Sequence, residues 1–253
     1  MRWRTAVSLS LPGVIWVAVV ASGRVPETYF PGPIITARAM VDGFAGGEFP
    51  RAMAETTVRA LAGLLAATLL ALSVALLSAR YEVLRRAVNP LAEFFRPLPP
   101  SSLVPMSIFF LGLGWQLHGF ILVFACVWPI YLNASAALRS VPLTLMRTAT
   151  SFGYRGWDRV LRVQLPSALP EIFIGLRIAG SVALIVAVVT EMLVGRDGLG
   201  YLLVDAAGTL RVPDVFAGLV LSAICGFAIN LSVNAVRTGV IGWHVRMTAG
   251  NQA

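Results

Sequence analysis

The residues of this chain best suited to chemistry are charged side chains set between apolar runs, and one group of them lies between residues 139 and 170. Four arginines and one aspartate fall within Arg147–Arg162, whereas the sequence on either side is strongly apolar. A central arginine costs about 2.5–3.5 kcal/mol in a membrane-spanning helix. The polar segment must therefore fold outside the bilayer, where its arginines can pair with acidic groups.

Several other chemistries are excluded by residue usage. All 20 basic residues are arginine, and both a phosphate-binding loop of the Walker type and a Schiff-base enzyme need a lysine. Cys126 and Cys225 lie far apart in apolar segments, and His118 and His244 are isolated. This spacing suits neither a disulfide framework nor a metal site. We therefore expect no catalytic residue, metal or cofactor in this chain, and any ATP must bind to another chain.

The elements that carry these residues are predicted to be membrane-spanning helices. The chain is 57% hydrophobic and only 13% charged, whereas soluble domains carry about 25% charged residues. Compared with the roughly 20 residues needed to cross a bilayer, six apolar segments stand out: Thr5–Ser22, Thr57–Ala79, Ser101–Trp115, Gly119–Ala134, Ser167–Val194 and Val215–Val236. We predict an all-α integral membrane protein with about six transmembrane helices, forming one domain over residues 1–253 with its core at about 56–240.

Two of the segments have special features. The first resembles a signal peptide, but its apolar run is long for one, which favours a retained helix. The third is short and contains Pro105, and only Gln116–His118 separate it from the fourth. These two segments are predicted to form a helical hairpin.

The arginines also predict the orientation of the chain. If the N-terminus is cytoplasmic, most arginines fall on the cytoplasmic side and most acidic residues outside, as the positive-inside rule requires. The predicted topology is N-in and C-in. Residues 139–170 are then cytoplasmic, and residues 23–54 lie along the outer surface.

The polar segment is predicted to contain two short helices. Apolar residues recur at three- and four-residue steps: Leu138, Val141, Leu145, Ala149 and Phe152. Gly153 ends this helix, and a second runs from Tyr154 to about Leu165, after which Pro166 and Pro170 break the chain before the fifth span. Such a pair can be a docking surface, or an amphipathic loop at the lipid headgroups.

The spacing of these residues resembles a known motif. Type I ABC importer permeases, with the MetI-like membrane fold, carry E-A-A, three residues, G, nine residues and I-x-L-P. The chain has Arg147-Thr148-Ala149, Gly153 and Val163-Gln164-Leu165-Pro166 at the same spacing. Arg147 stands where the motif has glutamate and Thr148 where it has its first alanine. These departures change the charge pattern but keep the helix–glycine–helix arrangement.

The resemblance extends over about Arg59 to Val236. Six parts of the chain are similar to the branch of the family that imports nitrate, sulfonates and taurine: Arg96–Pro105, Phe110–Gly114, Leu165–Pro170, Gly175–Arg177, Glu191 and Gly198–Gly200. The resemblance implies a multi-pass subunit of the inner (plasma) membrane that forms a path for a small, anionic solute. The implied partners are two ABC ATPase subunits that bind ATP and Mg, a second permease copy, most simply an identical one, an external solute-binding protein and the lipid bilayer, but no nucleic acid.

The resemblance also assigns roles to residues. Residues 139–166, which we call the coupling region, would contact the ATPase, with these residues at its centre: Arg147, Thr148, Ala149, Gly153, Tyr154, Arg155, Leu165 and Pro166. Within the fifth span, Arg177, Ser181 and Glu191 share one helical stripe, because 14 residues make nearly four whole turns. Since charges in spans face a bundle interior or a cavity, we predict that this stripe lines the translocation path, a gate or the permease dimer interface.

Structural roles for the two charges remain open. Arg177 can anchor the cytoplasmic end of its span, and Glu191 can satisfy backbone groups near Gly195–Gly200. Two other function classes also remain as alternatives: a six-span intramembrane enzyme, and an ABC-type exporter or scaffold membrane subunit. The chain has no G-x-S-type nucleophile opposite a histidine, which disfavours the enzyme.

Overall fold

The computed structural model describes the backbone of residues 2–250, and the side chains of Leu11 and of residues 13–242. Within residues 2–250 the regular structure is entirely helical. The α-helices are α1 (Arg2–Ala21), α2 (Pro33–Ala45), α3 (Glu48–Arg80), α4 (Glu82–Phe95), α5 (Val104–Leu111), α6 (Trp115–Arg139), α7 (Leu143–Ser151), α8 (Gly156–Arg159), α9 (Leu165–Val194), α10 (Gly198–Gly208) and α11 (Val212–Gly250). A 3-10 turn (Pro100–Leu103) precedes α5, and a π turn (Val160–Gln164) joins α8 to α9.

Four helices in the described part of the chain are long and apolar enough to cross a membrane: α3, α6, Gly156–Val194 and Val212–Gly242. Together with α1 and the shorter apolar helices Pro100–Leu111 and Gly198–Gly208, they are consistent with about six spans. This confirms the predicted all-α membrane fold.

Helices α3, α6 and α9 form the centre of the bundle. The contact side of α3 carries alanines that are completely buried, among them Ala60, Ala67 and Ala71. Small side chains let helix backbones approach closely where lipid gives no hydrophobic drive for association. The larger core side chains come from α6, where Ile121, Ile130 and Tyr131 are almost fully buried. This packing fixes α9, which carries both predicted intramembrane charges, against α3.

The predicted hairpin turns at a different place. Residues Gln116–His118 lie inside the first turn of α6, and the chain reverses at Gly112–Gly114 instead. Gly112 (φ 66°) and Gly114 (φ 139°) adopt conformations that favour glycine. The third segment is therefore helical only over Pro100–Leu111, roughly 20 Å at most, which is shorter than the hydrocarbon core.

The predicted break at Pro166 and Pro170 is wrong. The helix runs without interruption from Gly156 to Val194. At the π turn the amide of Leu165 donates to the carbonyl of Val160, five residues back. The regular pattern of i to i−4 hydrogen bonds is thus already interrupted at the position where Pro166 lacks an N–H. The helix can therefore continue through the proline. The second half of the coupling region is consequently a rigid extension of the fifth span.

Candidate functional site

The coupling region forms a compact turn at the predicted cytoplasmic end of the bundle. Helix α7 ends at Ser151, and Gly153, two residues further on, has a left-handed φ of 84°. The amide of Tyr154 then donates to the carbonyl of Ala149 at 3.0 Å, which closes the turn before α8 begins. Of the predicted helix pair, α7 matches the first helix, and α8 with the π turn takes the place of the second.

The apolar face of this region is divided between two environments. Val141, Ala149 and Val160 are buried against the chain. Phe152, by contrast, is 78% exposed and Leu143 is 74% exposed. Neighbouring apolar side chains of one small element therefore point both into the bundle and away from it.

The polar residues of the coupling region are mostly exposed to solvent. Arg147, Thr148 and Arg155 are exposed, and they flank the exposed Phe152 in the sequence. Leu165 and Pro166 lie instead at the half-buried base, where the region joins α9. The structure therefore divides the predicted coupling residues into an exposed group on α7 and its turn and an anchoring group on α9.

Among the contacts that connect the coupling region to the spans, two reach α3 and α6. The ring of Trp157 packs edge-on against Tyr81 at the end of α3, with 6.4 Å between ring centroids. The side-chain amide of the buried Gln164 donates to the carbonyl of Leu138 at 3.4 Å. These contacts attach the coupling region to α3 and α6, and the continuous helix Gly156–Val194 joins it to α9.

A second polar cluster lies at the opposite end of the bundle, and we call it the outer network. The Glu191 side chain is fully buried, and its carboxylate accepts hydrogen bonds from Arg59 Nη1 (2.8 Å), Thr56 Oγ1 (2.8 Å) and the Gly200 amide (3.1 Å). Arg59 also pairs with Asp197. The network thus joins α3 to the end of α9 and the start of α10.

The sequence Gly198-Leu199-Gly200 is suited to this position. The first amides of a helix have no partner within the helix, and here Leu199 donates to Thr56 Oγ1 and Gly200 to Glu191. A carboxylate at a helix N-terminus is also favoured by the helix dipole. A Cβ at Gly198 would overlap the Glu191 carboxylate, and one at Gly200 would overlap the carbonyl of Val188. Glycine is required because the backbone approaches the carboxylate closely.

The predicted stripe of Arg177, Ser181 and Glu191 is not one site in the structure. Glu191 is enclosed in the outer network, about 21 Å along the helix from Arg177. Arg177 and Ser181 are exposed next to α11, where Asn230 Nδ2 donates to Ser181 Oγ at 3.2 Å. Arg177 borders a cavity of about 90 Å³ together with Asn234 and Arg237.

Sequence analysis missed the two α3 members of the outer network, Thr56 and Arg59. Arg59 lies inside the predicted second span, and an ionisable residue within a span needs a partner. The presence of a charge within a span identified Glu191 as a candidate. Its pairing with Arg59 could not be predicted, because the two residues lie 132 positions apart in the sequence. The pairing follows from the packing of α3 against α9.

The fold is that of a multi-pass membrane protein. The outer network joins its helices at one end, and the coupling region presents an exposed surface at the other. Residues 61–241 match the family "Binding-protein-dependent transport system inner membrane component". The chain belongs to this family, so it is a transport permease and not an enzyme.

Relatives agree with this assignment over nearly the whole chain. The protein is 26% identical to the taurine transport system permease protein TauC of Escherichia coli, over 96% of this chain and 94% of that one. It is 25% identical to the putative aliphatic sulfonates transport permease protein SsuC of Bacillus subtilis, over 96% and 89%. A putative ABC transporter permease protein of Methanocaldococcus jannaschii is 27% identical over 95% and 93%.

A solved structure has the same fold. A chain from the inward-facing MetNI methionine ABC transporter superposes with a TM-score of 0.64, covering 78% of this chain and 97% of that chain at 20% identity. The resemblance to MetI-like permeases stated from the sequence motif is confirmed.

Proposed function

We propose that this permease is the membrane subunit of an ATP-driven importer for a small anionic solute of the sulfonate class, in the plasma membrane. The observation that carries the coupling half of this proposal is the exposed surface of the coupling region. Phe152 and Leu143 are exposed, and so are Arg147 and Arg155, which lie within a few residues of them in the sequence. Exposed aromatic and arginine side chains are typical of the energetically dominant residues of protein interfaces.

The occupant of that surface is a separate ATPase subunit. The chain has no lysine for a phosphate-binding loop, so ATP and Mg bind to the other subunit. When nucleotide draws two ATPase subunits together, each pulls on a coupling region. Because α8, the π turn and α9 form one continuous helix, this displacement moves the fifth span as a rigid body.

The path for the solute lies along the exposed surface that α9 and α11 form together. Arg177, Ser181 and Asn234 are exposed there, although both helices are otherwise apolar. Polar side chains within spans face a protein interior or an aqueous cavity and not lipid. A second copy of the permease, apposed to this surface, would enclose the path within a dimer. An external binding protein delivers the solute to its outer end.

The relatives named above support the solute class. The names of TauC and SsuC assign taurine and aliphatic sulfonates to those two proteins, and both kinds of solute are small molecules with a sulfonate group. Arg177 and Arg237, which border the same cavity, supply positive charge for such a group along the path.

Reconstitution tests the proposal. The chain is purified with its co-purifying ATPase, placed in proteoliposomes and supplied with the binding protein and labelled taurine or ethanesulfonate, with choline as a cationic control of similar size. We expect inward transport of a sulfonate that requires ATP and the binding protein. Purification without any ATP-hydrolysing subunit, or outward transport alone, would overturn the proposal.

A further inference from the structure

The helix α4 lies where the missing half of the third span is needed. The apolar helix Pro100–Leu111 is too short to cross the membrane by itself. Val88 and Leu91 of α4 line the same apolar cavity as Leu70 and Val74 of α3. Because α4 follows α3 directly in the chain, this shared cavity means that α4 turns back along α3 instead of leaving the bundle.

Contacts with α6 show how deep α4 reaches. The hydroxyl of Tyr131 donates to Asn89 Oδ1 at 2.7 Å. Further along α4, the ring of Phe95 stacks on Trp128 with 5.3 Å between ring centroids. Trp128 lies near the middle of α6, which is long enough to cross a membrane. The 14 residues of α4 also rise by about 20 Å from its predicted cytoplasmic end. Phe95 and the residues after it therefore lie near the middle of the membrane.

The chain is not helical at this depth. Residues 96–99 form a turn between α4 and the 3-10 turn Pro100–Leu103, and Pro97 and Pro99 have no N–H to donate. The 3-10 turn contacts both α6 and α9, whereas Arg96 and Pro97 are exposed. Irregular backbone within a membrane is tolerated only where it is buried in protein or lines a water-filled cavity. The exposed side of this break therefore does not face lipid.

A polar stripe along α4 leads to the same conclusion. Its residues recur at three- and four-residue steps: Glu82, Arg85, Asn89, Glu93 and Arg96. Near the cytoplasmic end, Glu82 pairs with Arg85 and Asn89 bonds to α6. At mid-depth, Glu93 and Arg96 are exposed, and neither forms an ion pair with any side chain that the structure describes. Charges within a span face a protein interior or an aqueous cavity.

We infer that α4, residues 96–99 and α5 form one broken span, and that Arg96 at the break lines the solute path at mid-depth. There its guanidinium, which can donate two parallel hydrogen bonds, pairs with the acid group of the passing solute. The break adjoins α9, the span that carries Arg177, so it lies beside the path proposed above. This inference rests on the proposed function and adds a solute-binding residue to it.

Thiol labelling tests where residue 96 lies. Arg96→Cys is purified with the ATPase in lipid nanodiscs and treated with the water-soluble reagent sulfonatoethyl methanethiosulfonate, while the native Cys126 and Cys225 are buried. Leu65→Cys is the control, because Leu65 is exposed on the apolar α3 at about the same depth. We expect residue 96 to react about tenfold faster or more. Equal rates would place residue 96 against lipid, and a disulfide between two copies would place it in a dimer contact. Either result would overturn the inference.

Uptake of labelled ethanesulfonate, measured in the reconstituted system with the binding protein, tests what Arg96 does. Arg96→Gln should lower uptake about tenfold through loss of a charged hydrogen-bond donor, and Arg96→Lys should restore most of it. Glu93→Gln removes a charge from the same stripe and should not lower uptake.

Equal losses in Arg96→Gln and Glu93→Gln would mean that the two side chains serve only as a pair, and would overturn the inference even though the complex imports sulfonates. If the unmodified complex imports no sulfonate, the proposed function fails, and the labelling comparison still decides whether residue 96 lines an aqueous cavity.

Discussion

The two polar ends of this bundle are built in opposite ways. In the outer network, the Glu191 carboxylate receives three hydrogen bonds from the chain itself and is shielded from solvent. In the coupling region, Phe152 and the neighbouring arginines are exposed and unmatched by the rest of the described chain. The outer end is therefore closed, because it holds its own helices in register, whereas the inner end is open and offers a surface to the ATPase subunit that we propose.

The largest effect is expected from opening the closed end. Arg59→Gln leaves the buried Glu191 carboxylate without its countercharge, and removal of one member of a buried ion pair costs about 3–5 kcal/mol. The free energy of unfolding, measured by denaturant titration in detergent micelles, should fall by about that amount. The matched control is Arg51→Gln, which breaks the exposed pair with Glu55 at 3.0 Å and should cost less than about 1 kcal/mol. Equal losses in both variants would remove the contrast between a closed and an open end.

The next effect concerns the open end. Phe152→Ala should leave the stability of the isolated permease unchanged, because the ring is exposed, but weaken its binding to the ATPase by about 30-fold. Affinity can be measured by biolayer interferometry with the permease in nanodiscs. Phe109→Ala, which removes an equally exposed ring on α5, serves as the control and should bind normally. A Phe152→Ala variant with lower stability and full ATPase affinity would reverse the comparison.

A smaller effect is expected from the turn that shapes the open end. Gly153→Val places a β-branched residue at a φ of 84°, which costs about 1–2 kcal/mol. The exposed surface should be distorted, so that ATP hydrolysis continues while solute uptake per ATP falls. Gly153→Asn is the control, since asparagine tolerates the left-handed conformation. Normal coupled uptake in the valine variant would count against the turn geometry.

The smallest effect is expected at the surface between the two ends. Arg177→Gln should lower uptake about tenfold, through loss of one charge for the solute, and leave complex assembly intact. Proteoliposome flux and size-exclusion chromatography measure the two quantities. The exposed Arg51, changed to glutamine, is the control and should leave both uptake and assembly unchanged. Full uptake in Arg177→Gln would assign this arginine an anchoring role only.

Much of the fold could be predicted from the sequence because it depends on local properties. Apolar length predicted the spanning helices, and Gly153 predicted the end of α7. The hairpin turn was misplaced because the polar residues Gln116–His118 suggested a loop, whereas the flanking glycines supply the required φ angles. Pro166 was read as a helix breaker because a π turn has no clear sequence signature.

The coupling region could be predicted from the sequence more fully than the outer network, again because it depends on local properties. The coupling region is contiguous, so its motif and its exposed face could be recognised in one stretch of sequence. The outer network joins Arg59 to Glu191 through the packing of α3 on α9, which depends on many small residues at once. Glu191 could be singled out as a charge in a span, but its partner could not.

The central claim is that the open end is a cytoplasmic surface covered by a separate ATPase, and site-directed labelling tests it most directly. Thr150→Cys places a thiol on the exposed side of α7, while the native Cys126 and Cys225 are buried. In membrane vesicles, a membrane-impermeant maleimide should react with this thiol only from the cytoplasmic face, and the co-expressed ATPase should protect it. Reaction from the external face, or equal reaction with and without the ATPase, would contradict the account.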